Sequence, residues 1–139
     1  KIKSDLIKLN LNVHLDDPKE KIKPNTDIYL VNSYGKNKSI FKICKNVFLG
    51  GSLINHGGQN PLEAARYGCR IFHGPHISNF KEIYENLQKK NLSYKITNQN
   101  HLTNLLKKKL NKKNYSKKSI KNLKLEGTKI LNKIFNEIC

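Results

Sequence analysis

The chain has 139 residues, with 27 Lys and Arg against 10 Asp and Glu, for a net charge of +17. That is the size of one ordinary domain, and 37% hydrophobic residues in short alternating runs can bury a core, which excludes a wholly disordered basic tail. No apolar run approaches the roughly 18 residues of a bilayer span, and no charged-then-apolar leader opens the chain.

The chain enters an amphipathic pattern directly at Lys1, without Met, leader or cap, and reads as a piece of something longer. Residues 11–15 and 28–32 are short extended runs, residues 39–45 have room for a brief helix, and 47–49 is a strand of the buried type. Asn60-Pro61 is a helix start: Asn caps, Pro takes the first helical position, and Glu63 falls where a capping-box carboxylate sits. That helix runs to Tyr67 and stops at Gly68, and residues 70–73 form the next strand. Asn79 caps a second helix with an apolar face of Phe80, Ile83, Tyr84 and Leu87. Residues 93–96 are a further strand, followed by a helix carrying Leu102, Leu105, Leu106 and Leu110. A last helix, from about Ser119, places Ile120, Leu123, Ile130, Ile134 and Ile138 on one stripe. Strands alternating with helices imply right-handed crossovers and a parallel sheet, an α/β, Rossmann-like class.

Charge and special residues are unevenly distributed. Lys, Asn and Ile account for 59 of the 139 residues, a bias expected of AT-rich codon usage, so the basic balance is a weak pointer to nucleic acid. Yet residues 46–80 contain no lysine and hold six of the eight glycines and three of the five histidines, which makes this window the place to look for chemistry. The run of Lys107, Lys108, Lys109, Lys112, Lys113, Lys117 and Lys118 reads first as a solvated face, with an anionic membrane surface and nucleic acid as alternatives. Tyr115 is the only aromatic within that run, so single-strand stacking has little support. Cys44, Cys69 and Cys139 stand far apart with no CxxC pairing, which argues against a disulfide framework and a zinc site and fits a reducing compartment.

Ligands of open parallel sheets bind beyond the carboxyl ends of strands. Three loops there carry unusual residues: Gly50-Gly51-Ser52, His56-Gly57-Gly58-Gln59-Asn60 and Gly74-Pro75-His76. Adjacent glycines let amides approach an anion, the helix opened by Asn60 points its positive end to the same rim, and Glu63 can accept from paired ribose hydroxyls, which together describe a nucleotide site. Each feature also has a structural reading: Gly-Gly pairs are tight turns, Glu63 is a cap, and His73 on its strand is a packed side chain. None of the loops matches GxGxxG or GxxxxGK[ST].

Taken together, the run from Val47 to Phe80, with GGS, then GGQNPLE, then GPH, then NF, resembles the donor-binding half of the 3-deoxy-D-manno-octulosonic acid (Kdo) transferases. The resemblance continues more weakly from Asp27 to the end. It implies the C-terminal lobe of a two-domain GT-B glycosyltransferase, with CMP-Kdo as donor substrate, no cofactor and no metal. Residues 1–118 are then a CMP-Kdo-binding domain, truncated at its N-terminus, and 119–139 an amphipathic helix that either crosses back to the first lobe, leaving Ile130, Ile134, Phe135 and Ile138 partly unsupported here, or packs them on its own sheet. The acceptor-binding domain, with the catalytic carboxylate and the membrane anchor, is expected to be missing.

By the same resemblance Gly50, Gly51, Ser52, His56, Gly57, Gly58, Gln59, Asn60 and Glu63 bind the donor, and Gly74, Pro75, His76 and Asn79 line the neighbouring edge. Partners implied are CMP-Kdo, the lipid A precursor through the missing domain, and the cytoplasmic face of the inner membrane of a Gram-negative bacterium, with no nucleic acid. One stretch departs from the family pattern D-T-x-G-E: here it reads Asn32-Ser33-Tyr34-Gly35-Lys36, retaining Ser33 and Gly35 but neither acid. Lys36 then either pairs with donor phosphate or faces solvent. The rival functions are a UDP-sugar transferase or epimerase of the same fold, and a basic nucleic-acid-binding module.

Overall fold

A computed structural model of the chain describes residues 1–110 together with Lys129 and Asn132. It divides into two compact units, Lys1–Lys38 and Ser39–Cys139. The helix expected from Ser119, Lys129 and Asn132 apart, lies outside the described residues, as do Lys112, Lys113, Lys117, Lys118 and Cys139.

The first unit opens with a helix that the sequence reading did not assign, α1 (Ile2–Lys8). Asn10 ends it in the left-handed region at φ 58°, with its N–H and that of Leu11 returning to the carbonyls of Ile7 and Leu6. Asn tolerates this conformation better than any residue except glycine. Strands β1 (Val13–Leu15) and β2 (Ile28–Leu30) follow and pair in parallel, Val13 opposite Ile28 and Leu15 opposite Leu30. The Asp27 carboxylate accepts from the main-chain and side-chain N–H groups of Asn12 at 2.8 and 2.9 Å, holding the two strand starts together. His14 is buried and stacks on Tyr29 at 5.6 Å between ring centroids.

Helix α2 (Asn37–Ile43) leads into β3 (Asn46–Phe48), α3 (Leu62–Arg66), β4 (Arg70–His73), a 3₁₀ turn at Ser78–Phe80, α4 (Lys81–Lys89), β5 (Ser93–Lys95) and α5 (Gln99–Leu110). The second sheet is parallel in the order β3-β4-β5, with α3 and α4 as its crossovers. Both crossover helices end alike: Gly68 at φ 68° and Asn91 at φ 57° turn the chain, and the next amide, Cys69 or Leu92, bonds back to Ala64 or Leu87. Central β4 buries Ile71, Phe72 and His73, as a strand covered on both faces must. Ala64 and Ala65 let α3 lie close to the sheet, and Tyr84 and Leu87 supply the apolar face of α4. Cys69 is free and buried; its thiol reaches the Phe41 and Cys44 carbonyls at 3.3 and 3.2 Å, and burial pushes it up to about 11.

The expected single parallel sheet is thus two parallel sheets, of two and three strands, among the described residues. Three-residue strands make few ladder bonds, and apolar periodicity does not say which strands share a sheet. Asn79 was expected to cap α4; it lies instead within the 3₁₀ turn, and its side chain is used elsewhere. Among the described residues no helix is long and apolar enough to cross a membrane.

His73 is fully buried against Tyr84 at 4.3 Å between ring centroids. Its Nδ1 donates to the Gly74 carbonyl at 2.8 Å, and its buried Nε2 has no partner among the described residues, a setting that favours the neutral ring. Burial, against the opposing effect of the Gly74 bond, holds its pKa below the ordinary 6.5. Below that pH the unfolded chain takes up a proton that the buried ring refuses, so stability is full above about pH 6.5 and falls as the pH drops through the window beneath it. Urea unfolding midpoints measured from pH 7.5 to 5 should decline in the natural chain, and the decline should be shallower in a folded His73→Phe variant.

Candidate functional site

The carboxyl ends of β3 and β4 release the three glycine-rich loops onto one rim, where they are tied by hydrogen bonds between them. Ser52, with no exposed surface, is the centre of this arrangement. Its hydroxyl donates to the Leu49 carbonyl at 2.7 Å and accepts from the Gly74 N–H at 2.9 Å, while its carbonyl accepts from the His76 N–H at 3.0 Å. Gly58 N–H reaches the Gly51 carbonyl at 3.1 Å, and Asn79 N–H reaches the Gly57 carbonyl at 3.1 Å. The Asn79 amide group also donates to the His56 carbonyl at 3.5 Å, and the Tyr84 hydroxyl to the Gln59 carbonyl at 2.8 Å.

Two glycines are sterically required. A Cβ on Gly74 would stand 2.1 Å from the Ser52 carbonyl oxygen, and one on Gly57, already at φ 79°, would stand 2.4 Å from the Asn79 side chain. Gly50 differs: nothing lies within 4 Å of its Cβ position.

This geometry sorts the expected donor residues into two groups. Ser52, Gly57, Gly58 and Gly74 are buried and hold the loops together, and the amides of Gly58 and Gly74 are already engaged. Gly50, His56, Gln59, Asn60, Pro75, His76 and Asn79 are exposed along the rim, with Gly51 and Glu63 half-buried. The Gly50 and Gly51 amides donate to no other described residue, which leaves them available to an anion. Asn60 does cap, accepting from the Leu62 N–H at 3.0 Å. The Glu63 carboxylate makes no hydrogen bond to the described residues, so it does not close the capping box. Helix α3 has only five residues, so its dipole contributes little at this rim.

The departing stretch behaves differently from either sequence expectation. Lys36 is ion-paired with Asp16, beyond the end of β1, within the first unit. The Asp16 carboxylate, its side chain 4% exposed, also accepts from the Tyr29 hydroxyl and from Ser33 Oγ at 3.2 Å. The Lys36 ammonium and then the Tyr29 hydroxyl hold the Asp16 carboxyl below the ordinary carboxylate range, and Asp16 pushes the Tyr29 phenol up. Gly35, at φ 83°, supplies the left-handed turn that brings Lys36 back. Asp16 had no motif to mark it; the acidic pair Asp16-Asp17 after an extended run was its sole trace. Among the described residues no group of His, Cys, Asp and Glu could hold a metal ion.

No protein-family model matches the chain. A 3-deoxy-D-manno-octulosonic acid transferase from Haemophilus influenzae is 40% identical over 63 residues, covering 45% of this chain and 15% of the relative. Its counterpart from Aquifex aeolicus is 28% identical over 101 residues, 73% of this chain and 29% of the relative. That of Rickettsia typhi is 36% identical over 88 residues, 63% of this chain and 19% of the relative. The chain therefore spans under a third of the length of these relatives. In fold it is similar to the C-terminal CMP-Kdo binding domain of WaaA from Acinetobacter baumannii, with a TM-score of 0.78 and 23% identity, covering 94% of this chain and 66% of that one. The Rossmann-like architecture of a GT-B C-terminal lobe is the shared element.

The steric difference between the glycines gives a direct test. Gly74→Ala should lower unfolding stability by about 1–3 kcal/mol or abolish folding, since a main-chain carbonyl must move. Gly50→Ala should stay within about 0.5 kcal/mol of the natural chain. Denaturant titration followed by circular dichroism measures both.

Proposed function

We propose, on the premise that this chain belongs to the 3-deoxy-D-manno-octulosonic acid transferase family and matches its C-terminal part, that it is the lobe holding CMP-Kdo. The observation that carries this reading is the convergence of three glycine loops on one rim, with the Gly50 and Gly51 amides and the Glu63 carboxylate unengaged by other described residues. In this reading the Gly50 and Gly51 amides face the phosphate and Glu63 takes the ribose hydroxyls. His56, Gln59 and Asn60 border the nucleotide, and Pro75, His76 and Asn79 border the sugar side. Ser52, Gly57, Gly58 and Gly74 act by fixing these positions. Lys36 is neutralised by Asp16 within the first unit, where Ser33 also bonds to that carboxylate, and in this reading it is not a phosphate ligand.

The whole protein then transfers Kdo from CMP-Kdo to a hydroxyl of a lipid A precursor at the inner membrane surface. As the bond to the phosphate breaks, negative charge grows on the departing CMP, and preorganised amides stabilise it more than they stabilise the bound donor. The general base for the acceptor hydroxyl comes from the first lobe. The donor domain of this reading is built from the described part of residues 1–118. The reading invokes no metal and no nucleic acid. A UDP-sugar enzyme of the same fold is the rival reading, supported by the fold alone.

Calorimetric titration with CMP tests the proposal. The chain should bind the monophosphate and prefer it to UMP and UDP. A folded Glu63→Ala variant should lose about 1–3 kcal/mol of that affinity, the cost of removing a charged hydrogen-bond partner. Equal affinity for UDP would favour the rival, and unchanged CMP affinity in the variant would remove Glu63 from the ribose.

A further inference from the structure

A hollow of about 380 Å³ lies beyond the ends of β4 and β5, bordered by α4 and by the loop after Gly74. It adjoins the glycine rim, since Asn55, Pro75 and His76 line it too. Its far wall comes from Lys81, Glu85 and Gln88, spaced i, i+4 and i+7 on α4, so they form one polar stripe beside the buried stripe of Tyr84 and Leu87. The opposite side carries Lys95, the last residue of β5, which stands next to buried His73 in the strand register. Lys81 and Lys95 are in ion-pair distance of no carboxylate among the described residues, although Glu85 is one helical turn from Lys81. Two ammonium groups unpaired among the described residues, one carboxylate and one carboxamide suit a ligand that is anionic at one point and hydroxylated elsewhere.

We propose that this hollow is the subsite for the sugar-acid portion of the donor: Lys81 and Lys95 hold its carboxylate, while Glu85 and Gln88 accept from and donate to its hydroxyls. The inference rests on the donor-lobe reading above, which supplies a ligand with both features in one small group. A bare phosphate shares the charge but not the hydroxyls. A solvated helix face alone would leave both lysines without a ligand.

The test uses the full chain and three probes, namely free 3-deoxy-D-manno-octulosonic acid, CMP and inorganic phosphate, followed by amide shifts in two-dimensional NMR. The sugar acid should shift Lys81, Glu85 and Lys95, whereas CMP should shift Gly50, Gly51 and Glu63. Lys95→Ala and Lys81→Gln should each weaken sugar-acid binding roughly tenfold or more, as expected when a charged hydrogen-bond partner is lost. Their CMP affinity should change far less, and Glu63→Ala should show the reverse pattern; dispersed spectra confirm that each variant is folded. Absent sugar-acid binding, binding indifferent to both lysines, or equal displacement by phosphate would overturn the subsite while CMP binding persists. Loss of CMP binding in the natural chain would instead overturn the donor-lobe reading itself.

Discussion

The Ser52 hydroxyl, buried and bonded on both sides, is the interaction on which the candidate site depends. By accepting from the Gly74 amide and donating to the Leu49 carbonyl, it joins the end of β3 to the end of β4 across 22 residues of sequence. The absence of a side chain at Gly74 lets the two main chains come close enough for those bonds, and a buried hydroxyl without them would carry a desolvation penalty. The other contacts between the loops, from Gly58 to Gly51 and from Asn79 to Gly57, follow from that first alignment.

One consequence is a division of labour among glycines that look alike in sequence. Gly57, Gly58 and Gly74 are confined by what packs on them, and two of the three have amides committed within the fold. Gly50 and Gly51 are left with amides free of other described partners. Anion binding by main-chain donors requires amides that are fixed in place yet unengaged, and the interlocked loops provide the fixing.

In the first unit Asp16 performs a comparable service for the loop at residues 33–36. Where the family pattern has acids, this chain has Lys36, and a carboxylate 20 positions earlier compensates its charge. Tyr29 and Ser33 complete the coordination of Asp16, so the loop is held by a small network and not by Lys36 alone.

Much of the fold was legible without coordinates, because it is encoded in neighbouring residues. Asn60-Pro61 opened α3, Gly68 closed it, and the spacing of Phe80, Ile83, Tyr84 and Leu87 announced α4. These signals act within one or two turns of backbone, so they survive being read as a string. Helix α1 escaped notice because it has no side-chain cap and buries nothing, and the role of Asn79 was misjudged because its partners are 22 and 23 residues away. The glycine window likewise marked where unusual loops gather and which residue types they use. Tertiary structure alone decided which amides are engaged, that Ser52 faces inward, and that Lys36 meets Asp16, because each depends on contacts between segments about 20 residues apart whose pairing no local pattern specifies.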